Sequence, residues 1–191
     1  MLKFLAILFI STSFLVKAQF NFGIKISGLA YHPQKEINEN HYRWKLDKKG
    51  HFVSFIGISF VFDYAFNPYF GIKTTHTIMP FDCAGKWAFV SHVGVNFHDR
   101  IIGWKNNIHR FSGSFGPLWY YRKGWNTIKN YQHEPQFIKQ SKNKKWEHKF
   151  VWYGAQAQYD YYFKPNQAFS VNLFPGYPYI YSFAVGESFR L

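Results

Sequence analysis

A strict alternation of apolar and polar side chains constrains the fold of this chain more than any other feature. It is clearest in residues 150–174, "FVWYGAQAQYDYYFKPNQAFSVNLF". A period of two places alternate side chains on opposite faces of a β-strand. The segment therefore predicts a hairpin with one apolar face and one polar face. In its first strand the apolar face carries Val151, Tyr153, Ala155, Ala157, Tyr159, Tyr161 and Phe163, and the polar face carries Gly154, Gln156, Gln158 and Asp160.

The same pattern recurs along the chain, and it predicts an all-β fold of eight strands. Phe, Tyr and Trp make up 23% of the 191 residues, which favours strands over helices. Two folds suit such a composition. In a soluble sandwich or lipocalin-like barrel the apolar faces turn inward, and in an outer-membrane barrel they turn toward lipid. The expected strands cover residues 20–27, 51–66, 69–79, 87–98, 108–121, 150–163, 168–174 and 179–191.

The connections between these strands favour the membrane barrel. They are long or irregular at 31–50, 79–86 and 122–149 and short at 67–68 and 164–167. Long outer loops, short periplasmic turns and an even strand number are typical of small outer-membrane barrels. The fold expected is therefore an eight-stranded antiparallel up-and-down transmembrane β-barrel. The link at 99–107, "DRIIGWKNN", is either a turn, a bulge or an extra short strand pair.

The distribution of side chains between the two faces leads to the same fold. Tyr and Trp recur near the strand ends, where phenol and indole groups favour the membrane boundary. We expect the apolar faces to contact lipid and the polar faces to fill the narrow interior, without a wide pore. The expected interior residues are Lys25, Asp63, Lys73, His92, Asn96, Arg110, Gln156, Gln158, Asp160 and Asn172.

The first 18 residues, "MLKFLAILFISTSFLVKA", resemble a secretory signal peptide. They combine Lys3, an apolar stretch and the small residue Ala18 before the expected cleavage site. The mature chain, residues 19–191, is then the barrel, and its expected location is the outer membrane. Loss of Lys3 and Lys17 lowers the net charge from +13 to +11. For a basic exported protein without a nucleic-acid motif, we expect membrane lipid and lipopolysaccharide as partners rather than nucleic acid.

The basic segment at 122–149 is the candidate ligand surface. It carries eight Lys or Arg and two Glu. Outside the cell it would face lipopolysaccharide phosphates, although an ordinary solvated loop explains the same charges. Trp125 and Trp146 are expected to anchor the ends of this segment at the membrane boundary. The predicted glycolipid-binding residues are Arg122, Lys123, Lys139, Lys142, Lys144 and Lys145.

Metal and cofactor chemistry is not expected from this sequence. None of the nine histidines forms a close ligand motif. His92 and His98 share a strand face but lie about 20 Å apart, too far to hold one ion. Cys83 is the single cysteine, so an intrachain disulfide is excluded. We expect neither a metal site nor a cofactor.

Segments of the chain resemble two protein families. The last strand, "YIYSFAVGESFRL", resembles that of small OmpX-type outer-membrane proteins, although Leu191 stands where those often end in an aromatic residue. More weakly, "LAYHPQ" and "FDCAGKW" resemble the lipid A palmitoyltransferases, whose histidine lies in the first outer loop and whose Asp-Ser pair lies in the second. "RWKLDKKG", residues 43–50, is also similar to a turn of that family.

The second resemblance implies a catalytic role for three residues. His32 would act as general base, Asp82 as orienting carboxylate, and Cys83, in place of serine, as acyl-accepting nucleophile or hydroxyl substitute. An acyl-binding enzyme would also need an apolar slot. The function expected from the sequence is a noncatalytic surface or accessory protein that contacts lipopolysaccharide or a partner, which could be a larger outer-membrane complex. The alternatives are a lipid A acyltransferase and a small channel.

Overall fold

The computed structural model describes residues 19–32, 37–139, 145–176 and 180–191. The signal peptide predicted for residues 1–18 lies outside this part of the chain. No helix in the described ranges is long and apolar enough to cross a bilayer. The strands are β1 (Gln19–Tyr31), β2 (Phe52–Ala65), β3 (Phe70–Phe81), β4 (Trp87–His98), β5 (His109–Lys123), β6 (Ile138–Lys139), β7 (Trp146–Lys164), β8 (Gln167–Gly176) and β9 (Ile180–Arg190).

Eight long strands form one closed antiparallel sheet. The order β5-β4-β3-β2-β1-β9-β8-β7 follows the chain, and β5 pairs with β7 to join the two ends. The short β6 pairs only with the outer end of β7. Closure removes the exposed sheet edges that a bilayer would not tolerate. The predicted eight-stranded antiparallel up-and-down barrel is confirmed.

The barrel is polar inside and apolar outside. Lys25, Lys73, His92 and Asn96 are fully buried in the interior, whereas Ile26 and Phe183 are exposed on the outer face. Since a soluble fold buries its large apolar side chains, this inverted distribution identifies a surface that faces lipid. The soluble sandwich or lipocalin-like alternative is therefore wrong.

Side chains that hydrogen-bond to one another fill the interior in the half of the barrel nearer residues 19 and 191. Lys73 Nζ donates to Ser112 Oγ at 2.7 Å and to Gln158 Oε1 at 3.2 Å. Asn96 Nδ2 donates to Asp63 Oδ1 at 2.9 Å. These contacts join strands that are not neighbours in the sheet, and their side chains occupy the interior, as expected for this strand number.

Because of a β-bulge in β7, side chains in the outer half of this strand point to the faces opposite to those predicted. Gly116 pairs with Gly154 and Leu118 with Val151, so that Trp152 and Tyr153 together lie opposite Pro117. Proline cannot donate a ladder hydrogen bond, and a bulge accommodates this. Val151, predicted on the apolar outer face, points inward instead and is 5% exposed.

The same bulge turns Glu147 and Lys149 into the barrel mouth. Both side chains are buried, although their positions in a polar segment suggested that they would be exposed to solvent. Without the extra residue, the alternation set by Gln156 and Gln158 would direct Glu147 and Lys149 toward lipid.

The two ends of the barrel differ as the loop lengths predict. Gln19, the first described residue, and Leu191 lie at the same end of the barrel, where the Leu191 amide donates to the Phe20 carbonyl at 2.9 Å. The short turns at 66–69 and 165–166 lie at this inner end. The link at 99–107 begins with a 3-10 helix, Asp99–Ile102, and contains no extra strand pair.

At the outer end the long connections are shorter than predicted. β3 runs to Phe81, and β5 and β7 extend into the segment predicted as a loop at 122–149. Arg122 and Lys123 therefore belong to β5, and residues 146–149 belong to β7.

Candidate functional site

The outer half of the barrel encloses a cavity of about 430 Å³. Its wall is mostly apolar, in contrast to the polar half below. This volume and this composition are typical of a site for a small ligand or for part of a larger one. The apolar wall residues include Val53, Phe55, Met79, Val90, Leu118 and Ala184.

The floor of the cavity is a layer of hydroxyl and amide groups that bond to one another. Ser59 lies within hydrogen-bond distance of Ser27 at 2.9 Å and of Thr77 at 2.8 Å. The Thr75 hydroxyl donates to Gln156 Oε1 at 2.7 Å. Gln156 Nε2, by contrast, is buried without a hydrogen-bond partner among the described residues. The layer separates the cavity from the charged interior.

A segment of the third outer connection covers the mouth of the cavity. We call residues 131–139 the cover; Glu134 and Phe137 within it are buried, and both line the cavity. Trp125, expected at the membrane boundary, is instead buried in the mouth, where it is 3% exposed. The predicted position of Trp125 is therefore wrong.

Arg122 holds the cover in place. Its Nη1 lies 3.0 Å from Glu134 Oε1, and its Nε lies 2.9 Å from Glu147 Oε2. The guanidinium also lies 3.5 Å from the centre of the Phe137 ring. Since a guanidinium offers donors in a rigid plane, one side chain fixes both the cover and the start of β7.

Tyr131 completes this network. Arg122 Nη2 donates to the phenol oxygen at 2.6 Å, and the phenol hydroxyl donates to Glu147 Oε2 at 3.1 Å. Burial raises the pKa of Tyr131 to about 12, so the phenol keeps its proton at physiological pH. Asn38 ties the first outer connection to the same cover, through Glu134 Oε1 at 2.9 Å and the Gln132 carbonyl at 2.8 Å.

Beside the cavity, the pairing between β7 and β8 stops before the mouth. The outermost described pair is Ala157 with Leu173, although β8 continues to Gly176 and stays paired with β9. On that edge of β7, β6 pairs only with residues 147 and 148. Among the described residues, positions 150–156 of β7 thus have no strand partner there. We call this interval the side window.

The side window lies between the cavity and the lipid-facing surface. Lys149, Phe174 and Phe137 line the cavity next to it, while Trp152 is 68% exposed on the outer face. Pro175 in β8 has no amide hydrogen to offer a neighbouring strand. Backbone groups left without a ladder partner at membrane depth are tolerated where they line a cavity.

The three residues implied by the transferase resemblance line this one cavity. His32, Asp82 and Cys83 all contribute to its wall. The His32 ring is buried, 5.4 Å from the Tyr42 ring, and Cys83 is half-buried. The segment 43–50 lies at the same end, where the Arg43 amide donates to the Cys83 carbonyl at 2.7 Å.

The Asp82 carboxylate shapes the second outer connection. Oδ1 accepts the amides of Ala84 and Lys86 at 2.9 and 2.8 Å, and Oδ2 accepts the Trp125 indole at 2.6 Å. Burial raises the pKa of Asp82 above its usual value, and these donors oppose that effect. The carboxylate therefore anchors Trp125 and orients the turn that carries Cys83.

The predicted glycolipid-binding residues separate into two groups. Arg122 is buried in the network just described, whereas Lys123, Lys139 and Lys145 are exposed. Lys123 Nζ lies 5.5 Å from the Trp146 ring centre. Lys142 and Lys144 lie outside the described residues.

Exposed cations surround the outer end, and three of its described carboxylates are buried. Asp82, Glu134 and Glu147 are buried, and Glu39 and Asp47 are half-buried. The outward charge is therefore positive. We call the exposed cations the cationic rim; its described members are Arg43, Lys48, Lys49, Lys123, Lys129, Lys139 and Lys145.

Some of this site could not be found from the sequence. The cavity, the side window and the pairing of Arg122 with Glu134 and Glu147 depend on contacts between distant segments. The only local signal was Pro117 inside a strand pattern, which marks the bulge. In the described part of the chain, no three His, Cys, Asp or Glu side chains are grouped so that they could hold a metal ion.

Replacing Arg122 should release the cover without unfolding the barrel. In Arg122→Met, Glu134 and Glu147 lose their buried cation, which we expect to weaken the closed cover by about 3 kcal/mol or more. Amide hydrogen exchange of a peptide spanning 128–139 should accelerate. Lys123→Met is the matched control, because the neighbouring side chain is exposed. Equal exchange in both variants would refute the role of Arg122.

Solved structures with a similar fold are small outer-membrane barrels. The attachment invasion locus protein Ail of Yersinia pestis, crystallised with the heparin analogue sucrose octasulfate, is 14% identical at a TM-score of 0.48, over 91% of this chain and 97% of that chain. The N-terminal β-barrel domain of Pseudomonas aeruginosa OprF is 11% identical at a TM-score of 0.48, over 92% and 100%. Neisserial surface protein A is 7% identical at a TM-score of 0.48, over 92% and 98%.

These similarities concern the fold alone. No protein-family model matches the chain, and no curated protein matches it at a significant level. Closure of eight antiparallel strands, an apolar outer surface and a filled polar interior make the chain an integral β-barrel protein of the outer membrane.

Proposed function

We propose that this barrel binds a lipid of the outer leaflet, with a hydrocarbon chain in the cavity and an anionic headgroup on the cationic rim. The observation that carries the proposal is the side window, where an otherwise closed wall is unpaired next to an apolar cavity. A chain can pass from the bilayer into the cavity at this depth without crossing water. Burial of its methylene groups would then add to the attraction between headgroup and rim.

Lipopolysaccharide is the anionic glycolipid that suits this arrangement. Its phosphates would lie at the level of the rim, where lysines act as a screened, multivalent clamp. Lys139, Lys142, Lys144 and Lys145 remain the proposed contacts, together with Lys123. Arg122 would act indirectly, because its guanidinium holds the cover.

Blocking the cavity should prevent lipid retention. Ala184 is a buried wall residue, so Ala184→Phe would place a ring where the chain should lie. We expect lipid occupancy to fall by about tenfold or more, equivalent to about 1.4 kcal/mol of binding. Native mass spectrometry of the protein released from detergent would measure the retained lipid.

Ala157→Phe is the matched control, because Ala157 lies on the exposed outer face of β7. It makes the same change of side chain on the lipid side of the wall and should leave occupancy unchanged. Heat-modifiable electrophoretic mobility would show that both variants fold. A folded Ala184→Phe protein that retains lipid like the wild type would refute the cavity as the binding site.

Removing rim charges should weaken binding to lipopolysaccharide. Replacement of Lys139, Lys142 and Lys145 by Ala together should lower the affinity by about tenfold or more at low salt, and by less at physiological ionic strength. Retention on immobilised lipopolysaccharide would measure this. Lys164→Ala, at an exposed cation of the inner end, is the control for the single variant Lys145→Ala and should have little effect. Equal losses in these two single variants would contradict a specific rim.

Acyl transfer is a second candidate function, favoured by the position of His32 and Cys83 on the wall of the same cavity. His32 would take the Cys83 thiol proton while the sulfur attacks the ester carbonyl of a phospholipid. The ester C–O bond would break, and the leaving alcohol would take the proton. A glycolipid hydroxyl would then attack the thioester and give its proton to His32, which returns it to the thiolate.

Mixed micelles of phospholipid and lipid A would test for this transfer. Wild-type protein should add one acyl chain to lipid A, seen by mass spectrometry, together with lysophospholipid. His32→Ala and Cys83→Ala should abolish both products, whereas His133→Ala, at an exposed histidine of the cover, should not. Unmodified lipid A with the wild-type protein would exclude the acyltransferase and leave lipid binding as the function.

A further inference from the structure

The connection between β4 and β5 differs from the other two turns at the inner end. Those turns span residues 66–69 and 165–166, whereas this one spans 99–108. It also exposes large apolar side chains, and Ile102 is the most exposed of them at 77%. Contiguous apolar groups on a soluble surface mark an interaction site. The exposed apolar residues are Ile101, Ile102, Trp104 and Ile108.

This connection is held in a defined conformation. The buried Asp99 carboxylate accepts the Phe111 amide at 3.1 Å, and the Asp99 carbonyl accepts the Trp104 amide at 3.3 Å. Gly103 closes the 3-10 helix at a φ of 81°, which favours glycine. Asn106 Oδ1 accepts the Ile108 and His109 amides at 2.8 and 3.1 Å. The apolar side chains are therefore presented in a fixed arrangement, with little ordering left to occur on binding.

The arrangement places the connection against the lipid-facing side of the barrel. The Trp104 ring packs edge-on to the Phe111 ring, 5.5 Å between centroids. Phe111 is exposed on the outer face and packs at 4.9 Å against Tyr159 of β7. Through Trp104, the apolar patch thus continues the aromatic surface of the barrel wall.

Cations flank the patch. Arg100 and Lys105 are exposed, whereas Asp99, the only carboxylate within 99–108, is buried and accepts backbone amides. Apolar side chains, a tryptophan and adjacent cations are the combination that lies at a membrane interface, with the cations near lipid phosphates.

We infer that residues 99–108 form an interfacial anchor that inserts Ile101, Ile102 and Trp104 into the phospholipid leaflet at the inner end. Arg100 and Lys105 contact the phosphates of that leaflet. The anchor fixes the depth of the β4–β5 side of the barrel. It acts independently of the cavity and the rim, which lie at the opposite end.

A fluorescent label at position 102 tests the anchor in the full-length mature protein. Ile102→Cys in a Cys83→Ala background would carry a thiol-linked environment-sensitive dye, in vesicles of phosphatidylethanolamine and phosphatidylglycerol with brominated acyl chains. Phe163→Cys, on the lipid-facing end of β7, is the membrane reference, and Asn166→Cys, in an inner turn, is the water reference. Each labelled protein should show the heat-modifiable mobility of a folded barrel.

We expect bromine quenching at position 102 to lie within about a factor of two of that at position 163 and well above that at position 166. Adding Arg100→Gln and Lys105→Gln should reduce the quenching in vesicles that contain phosphatidylglycerol. Quenching at position 102 as weak as that at position 166 would overturn the anchor. In that case the exposed isoleucines would instead be available to a periplasmic protein.

Discussion

The requirement that every backbone polar group be satisfied in hydrocarbon governs this structure. Eight strands close on one another, so each strand has a partner on both sides along most of its length. Closure in turn determines where the side chains go. Large apolar groups face lipid, and ammonium, carboxylate and amide groups that could not face lipid pair with one another inside.

The side window is the longest described interval in which strand pairing is interrupted inside the membrane. There β7 lacks a strand partner at 150–156, while Pro175 in β8 has no amide hydrogen to leave unpaired. This interval lies beside the cavity and next to the exposed Trp152, and the proposed lipid binding uses it as the route from the bilayer to the barrel interior. The structural exception and the proposed binding site thus coincide.

The charged side chains of the outer half have two different roles. Carboxylates that would repel an anionic glycolipid are turned inward, where Glu134 and Glu147 bind Arg122. The exposed lysines are left as the outward charge. The bulge at Trp152 and Tyr153 makes this possible, because it rotates Glu147 into the mouth.

The alternation of side chains determined the all-β class, the number of strands and the polar and apolar face of most of them, because period two follows from local geometry. Loop lengths and aromatic residues near the strand ends then favoured lipid as the environment of the apolar faces. A resemblance to the lipid A palmitoyltransferases pointed to His32, Asp82 and Cys83, and the local charge pointed to the basic outer segment. Only the tertiary structure decided that Val151 faces inward and that Arg122 holds the cover by pairing with Glu134 and Glu147. The same is true of the apolar cavity, which lies above a polar floor and beside the side window. These features depend on a one-residue bulge and on contacts between strands and loops far apart in the chain, which periodicity does not record.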